Sequence, residues 1–308
     1  RAVSHVPLSP PPQGPINSSQ PHLVQAYQPA DLVSRQPRDV EMSLSPKAVG
    51  RQDILRSPVS EIVAPSQSAP LSFTKSGTPM EPPQSLISRS LYDLRAQAYP
   101  GGKYVGEYFS SERSGFGKFE YNDGNVYIGM WVKDQKHGFG RLQWSNGNVF
   151  SGEWRGDEMS GYGVFQYANK NEYKGEFQKS IKAGKGRFVW SNGDSYDGEW
   201  KNDMMDGRGL ITYNNGNVFE GQSKSNLKHG LGKMKWSTGE MYEGEWRNGL
   251  LHGQGSFMYA NGGSYVGEWV EDMRSGSGTM THPNGDIYTG AWKNDMREGS
   301  GTCRHANG

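Results

Sequence analysis

Three kinds of residue in this chain have types and spacings that could do chemistry. Six glutamates, Glu107, Glu153, Glu176, Glu199, Glu245 and Glu268, are separated by multiples of 23 residues. Paired carboxylates serve acid–base hydrolysis, but that chemistry needs one distinct acid and one distinct base in a pocket. Six equivalent carboxylates fit better as a solvated ladder, paired across strands with Arg141, Arg187, Lys233 and Lys235. Glycine pairs such as Gly138-Phe139-Gly140 resemble a phosphate loop, which requires a strand before and a helix after it. The pattern recurs in every repeat without a helix, so it reads as a packing device. His137, His229 and His252 could suggest a metal. Equivalent positions in adjacent hairpins lie about 9–10 Å apart, whereas zinc ligands converge to about 2 Å from one ion, so no metal site and no cofactor is expected.

The remaining candidate is electrostatic. Lys174, Lys179, Lys182, Lys185 and Arg187, then Lys224, Lys228, Lys233 and Lys235, form two locally basic stretches. Basic residues near an anionic phospholipid surface contribute about 1 kcal/mol each. They lack apolar anchors, however, and residues 104–308 carry 23 Lys and Arg against 25 Asp and Glu. That balance argues against nucleic acid as a partner.

The elements that position these residues follow from one period. An aromatic residue followed two places later by Gly recurs at Tyr104, Tyr127, Phe150, Tyr173, Tyr196, Phe219, Tyr242, Tyr265 and Tyr288, always 23 residues apart. With that aromatic as position 1, position 3 is always Gly. Position 5 is aromatic in eight of nine copies, the exception being Ser223, and positions 12 and 14 are always Gly. Position 16 is apolar, and position 18 runs Tyr121, Trp144, Tyr167, Trp190, Tyr213, Trp236, Tyr259, then His282 and His305. Apolar residues alternating with polar ones mark half-exposed antiparallel strands. Face matching predicts pairings 5 with 12, 3 with 14 and 1 with 16 inside each hairpin. It also predicts a three-residue loop at positions 19–21, whose Gly takes the left-handed conformation. Lys170 stands where the other copies have that Gly and should cost roughly 1 kcal/mol there.

The resulting motif, Y-x-G-x-W…H-G-x-G…N-G, is clearest at Tyr127–Gly147 and Tyr242–Gly262. It resembles the MORN (membrane occupation and recognition nexus) repeat family over residues 104–308. The match departs at Ser223, at Lys170 and at position 11, where only His137, His229 and His252 supply the usual His. The resemblance implies an all-β, elongated, single-layer antiparallel sheet of nine hairpins. Members of the family occur in membrane tethers, cytoskeletal scaffolds, radial-spoke heads, phosphoinositide kinases and a lysine methyltransferase, and the repeat itself is not catalytic in them. Fold therefore does not fix function.

A sheet with aromatic residues along one face exposes apolar area of the kind that marks interaction sites. The position-18 row, Tyr121, Trp144, Tyr167, Trp190, Tyr213, Trp236 and Tyr259, is the expected wall of a groove for a helical or extended partner segment. The bland alternative, that these rings are only core, weighs equally. The expected role is a scaffold, cytoplasmic and at the cytoskeleton or membrane periphery. The alternatives are an anionic-lipid module, and a regulatory arm of an enzyme whose catalytic part lies outside this sequence.

Residues 1–84 hold most of the 17 prolines, none of the nine tryptophans and no core pattern, so disorder is expected there. Over 85–103, Leu86, Ile87, Leu91, Leu94 and Ala98 fit one face of a short helix, broken by Pro100-Gly101-Gly102, that would cap the first repeat. Open sheet edges also allow a homodimer. Mean hydropathy is −0.81, no run is long and apolar enough for a membrane helix, and Cys303 has no second cysteine to pair with.

Overall fold

The computed structural model describes residues 72–73, 79–80 and 93–307. Ser72–Phe73 pairs antiparallel with Pro79–Met80. The expected disorder over 1–84 otherwise lies outside the described residues, as does the first half of the expected helix.

From Asp93 onward the chain is one antiparallel sheet. Each repeat is a hairpin of two strands, here called A and B. In the second repeat these are Val126–Val132 and Gln135–Gln143. Every B strand but the last pairs with the A strand of the next repeat, so the hairpins add edge to edge. The sheet is open. At one end Asp93–Tyr99 pairs with Gly102–Phe109, and at the other Met296–Arg304 pairs with Ile287–Lys293 and is exposed along its whole length. Nineteen strands at about 4.8 Å spacing span roughly 85 Å.

The described part of the expected helix is a strand instead. Asp93–Tyr99 runs from Asp93 opposite Tyr108 to Tyr99 opposite Gly102. The apolar periodicity that suggests a helix has nothing to bury against, for Leu94 is 70% exposed. The edge of the first hairpin, by contrast, offers a full row of unpaired backbone donors and acceptors. Tyr99 then closes over the first ring cluster, 5.9 Å from the Phe119 ring and hydrogen-bonded to Tyr108.

The A–B turn is a two-residue turn at positions 7 and 8 with both residues at positive φ, as at Lys133 (49°) and Asp134 (65°), or Asn202 (52°) and Asp203 (66°). That is the mirror-image turn whose twist matches a hairpin. The B–A loop is the expected three-residue one. Tyr121 N–H donates to Asn125 O at 2.9 Å, and Gly124 sits at φ 87°. Lys170 keeps the same loop at φ 70°, with its N–H on Tyr167 O, so the side chain is tolerated in the strained conformation.

Candidate functional site

The face carrying positions 1, 5 and 16 is the core. Each position-1 ring lies flat over two bare backbones. A Cβ built on Gly186 would fall 2.3 Å from the Tyr173 hydroxyl and 2.6 Å from its ring edge, while Gly175 and Gly186 face each other across the strands. Each position-1 tyrosine donates its O–H to the backbone carbonyl of position 4, as Tyr173 does to Glu176 O at 3.0 Å. The position-5 ring stands edge-on to two of these rings: Trp131 packs at 5.0 Å from Tyr127 and 5.4 Å from Tyr104. Its indole N–H reaches the carbonyl of Gly117 in the preceding repeat.

Pairings 1 with 16 and 3 with 14 occur as expected, but 5 with 12 does not. Inside a hairpin, Trp131 pairs with Lys136 at position 10, and the register slips beyond Gly129. The glycine opposite Trp131 is Gly115, of the preceding repeat. The slip is a β-bulge at positions 11–13, with Gly138 left-handed at φ 66°.

That bulge explains the glutamate ladder, and differently from the expectation. The carboxylates do not chiefly meet position-15 and position-17 cations. Each of the six curls back to accept the backbone N–H of position 13 in its own hairpin, from Phe116 on Glu107 (2.7 Å) to Ser277 on Glu268 (3.0 Å). Gln222 does the same for Leu231 in the sixth repeat. They are caps for a bulge amide, each such bond contributing about 0.5–1.5 kcal/mol net. Among the described residues no group of His, Cys, Asp and Glu is arranged to hold a metal ion.

Both rims carry ladders that sequence reasoning missed. On one, position 22 accepts the N–H of position 19 in the next repeat, as Asn125 does from Ser145 and Asn171 from Ser191. On the other, the side chain at position 8 reaches back to the N–H of position 10 in the preceding repeat, as Asp157 does for Lys136. The signal was present: small oxygen-bearing residues recur at positions 8 and 22. Its meaning required the register.

The seven groove residues line one rim of the core face. Tyr121 packs on Phe119 (4.4 Å), Tyr167 on Phe165 (4.4 Å), Trp190 on Phe188 (4.7 Å) and Tyr259 on Phe257 (4.7 Å). Trp144 and Trp236 lean on Phe165 and Phe257 of the following repeat. Trp190 is buried, whereas Tyr121, Trp144, Tyr167, Tyr213, Trp236 and Tyr259 are half-buried. Burial also pushes the Tyr167 and Tyr259 hydroxyls up.

The nine basic residues do not form one patch. Lys174, Lys185, Arg187, Lys224, Lys233 and Lys235 are exposed on the opposite, polar face, where Lys174 pairs with Glu172 (2.6 Å) and Lys233 with Glu243 (3.3 Å). Lys179 sits in a turn. Lys182 and Lys228 occupy position 10 and point into the ring face, over Trp200 at 5.1 Å and Trp246 at 4.7 Å. Position alternation puts them there, because position 10 shares a face with 12, 14 and 16.

The MORN repeat profile matches nine consecutive segments, 104–126, 127–149, 150–172, 173–195, 196–218, 219–241, 242–264, 265–287 and 288–308. No curated protein matches the chain in sequence. Among solved structures, the chain is similar to the TCP10 domain of Danio rerio CPAP. The identity is 14% and the TM-score 0.38, over 68% of this chain and 99% of that one. The same domain in complex with a peptide of Danio rerio STIL gives 12% identity, TM-score 0.38, and 68% and 99% coverage. The SAS-4 (dCPAP) TCP domain of Drosophila melanogaster, in complex with a proline-rich motif of Ana2, gives 13% identity, TM-score 0.31, and 56% and 86% coverage. Likenesses this low carry no functional argument.

Proposed function

The chain belongs to the MORN repeat family, and from that premise we propose that its repeat sheet is a non-catalytic scaffold binding a partner protein segment along the position-18 row. One observation carries the reading: rings at one position recur at every repeat from Tyr121 to Tyr259 and, Trp190 apart, keep part of their surface open. They stand on a core that is already closed beneath them, since the position-1 rings of Tyr127, Tyr173 and Tyr242 are fully buried. Aromatic side chains with one buried and one open flank supply contact area with little conformational entropy to lose. The row repeats at the two-strand interval of about 9–10 Å, which suits an extended or helical segment laid across the strands.

The test is a selection of displayed random peptides on the full chain, with affinities read from tryptophan fluorescence. Trp144→Ala with Trp236→Ala changes two half-open rings and leaves the position-1 and position-5 core intact. A loss of about tenfold or more in a variant with unchanged circular dichroism is expected. Unchanged affinity, or no enriched peptide, refutes the groove.

A further inference from the structure

The position-8 ladder obeys a charge rule. Where position 10 is a cation, the next turn supplies an aspartate. Arg113 meets Asp134 at 2.9 Å, Lys136 meets Asp157 at 3.8 Å, Lys182 meets Asp203 at 3.8 Å and Arg274 meets Asp295 at 2.9 Å. In each case the same Oδ1 also accepts the position-10 backbone N–H. Where position 10 is Met159 or Met205, the acceptor is neutral, Ser180 or Asn226. The two junctions after Lys228 break the rule in opposite senses. Lys228 faces Gly249, which has no side chain to offer, and Leu251 faces Asp272.

Lys228 is unusual on two counts, its missing acid and its missing ring, and shares its burial with Lys182. Among the described residues no carboxylate comes within 4.0 Å of its ammonium, which instead lies over Trp246 (4.7 Å) and Phe219 (5.6 Å). Its cross-strand partner is Ser223, the position that carries a ring in the other eight repeats. The edge-to-face chain of core rings is therefore interrupted between Tyr196 and Phe219. Burial pushes the Lys228 amine down to about 8, with distant Asp272 pulling against it. Cation–π contact recovers only part of the hydration lost by a buried ammonium.

We propose that Lys228 is where the scaffold reads an acidic side chain of its partner: an incoming Asp or Glu accepts from the Lys228 ammonium and backbone N–H, in the manner of the position-8 aspartates at the matched junctions. This rests on the groove reading above and adds its charge specificity. Complementarity argues for a carboxylate. The fold places one at each of the four other cationic junctions, and a desolvated charge pair gains more than one at an exposed rim. Lys228 retains open surface, since the strand Leu227–Lys235 is half-buried through its first four residues.

Two variants borrow solutions the fold already uses. Gly249→Asp would supply the missing acid from the chain itself. A Cβ there meets nothing within 4 Å, and Asp157, Asp203, Asp272 and Asp295 occupy the same turn place at φ 66–67°. Lys228→Met installs the residue found at Met159 and Met205. The probe is the displayed peptide library, selected on the full chain. Enriched peptides should carry Asp or Glu, and should bind Gly249→Asp and Lys228→Met at least about tenfold more weakly. Enrichment without acidic residues, or equal binding to wild type and both variants, overturns the charge reading while leaving the groove standing. Failure to enrich any peptide overturns both.

Discussion

Gly186→Ala tests the packing from which the sheet is built. The backbone there is ordinary for a strand, so the penalty is purely steric. The added methyl would sit 2.3 Å from the Tyr173 hydroxyl oxygen, 2.5 Å from Cζ and 2.6 Å from Cε2. Ordinary contact needs about 3.5 Å or more, so the ring must lift by roughly 1 Å. It has nowhere to go. Its O–H is held by Glu176 O at 3.0 Å, and Phe177 and Trp200 stand edge-on at 5.1 and 5.2 Å. Overpacking of this kind costs about 1–3 kcal/mol, and removing a glycine from the unfolded chain returns about 0.4–1 kcal/mol. With a clash this short the upper half of that range applies, and a net loss of roughly 1–2.5 kcal/mol is expected. It should be localised to the third to fifth repeats, because each hairpin touches only its neighbours. Gly262→Ala is the control: its φ is 86° with nothing within 4 Å, so it costs only the left-handed conformation, about 1 kcal/mol. Urea unfolding gives the totals and amide hydrogen exchange the location. Combining Gly186→Ala with Tyr173→Ala should cost less than the sum by about 1–3 kcal/mol. A Gly186→Ala loss no larger than that of Gly262→Ala, or strict additivity with Tyr173→Ala, would refute the ring-over-glycine account.

Lys228→Met should raise stability at neutral pH, and the gain should fade as pH rises. The folded amine sits at about 8 against 10.5 for an ordinary lysine, so between these values the unfolded chain holds more protons and wild-type stability climbs with pH. Full linkage would give about 3 kcal/mol; a side chain that keeps some hydration should show roughly 1–2. A wild-type-to-variant difference in urea midpoint that stays flat from pH 7 to 10 contradicts this. Glu245→Ala removes the acceptor of the Gln254 N–H, at 3.0 Å on the exposed face, and should cost about 0.5–1.5 kcal/mol. Glu245→Gln should cost far less, because Gln222 caps the equivalent amide. Equal losses in the two variants would mean that the carboxylate does something other than cap.

The hairpins, the matched faces and the three-residue loop were legible because each follows from a period of two and a glycine every 23 residues. The bulge was not. Alternation continues through positions 12, 14 and 16, and nothing in residue types alone says that Trp131 pairs with Lys136 rather than with Gly138. Once the slip is missed, Glu153 looks like an exposed charge seeking a lysine, although it caps Tyr162 N–H. Lys182 and Lys228 were grouped with surface cations for a different reason: they were read by local charge and not by the face their position shares with 12, 14 and 16. Their neighbours in sequence are exposed, while their neighbours in space are indoles. The two-residue A–B turn was written in Asn248-Gly249 and in the Asn-Asp pairs, and Asn-Gly is among the strongest hairpin signals. At the edge, the helical reading of residues 93–98 lost to backbone pairing, since a strand satisfies the exposed ladder of Gly102–Phe109 and a helix does not.

Where nine hairpins solve one packing problem nine times, a residue that follows the pattern reports on the sheet, and a residue that departs from it reports on something else. Lys170 departs at no visible cost to its loop, whose hydrogen bonds match those of the glycine copies. Ser223 and Gly249 differ in kind, because their departures meet at one cation, Lys228. One removes the ring opposite that cation, and the other withholds the acid that four sister junctions provide. Repeat-by-repeat energetics let the neighbouring hairpins carry a weak junction without unfolding. A solenoid can therefore hold one imperfect hairpin as a fixed, specific feature, and at the sister junctions the position-10 cation reaches the position-18 wall, as Lys182 does Tyr167 at 6.0 Å and Lys136 does Tyr121 at 5.9 Å.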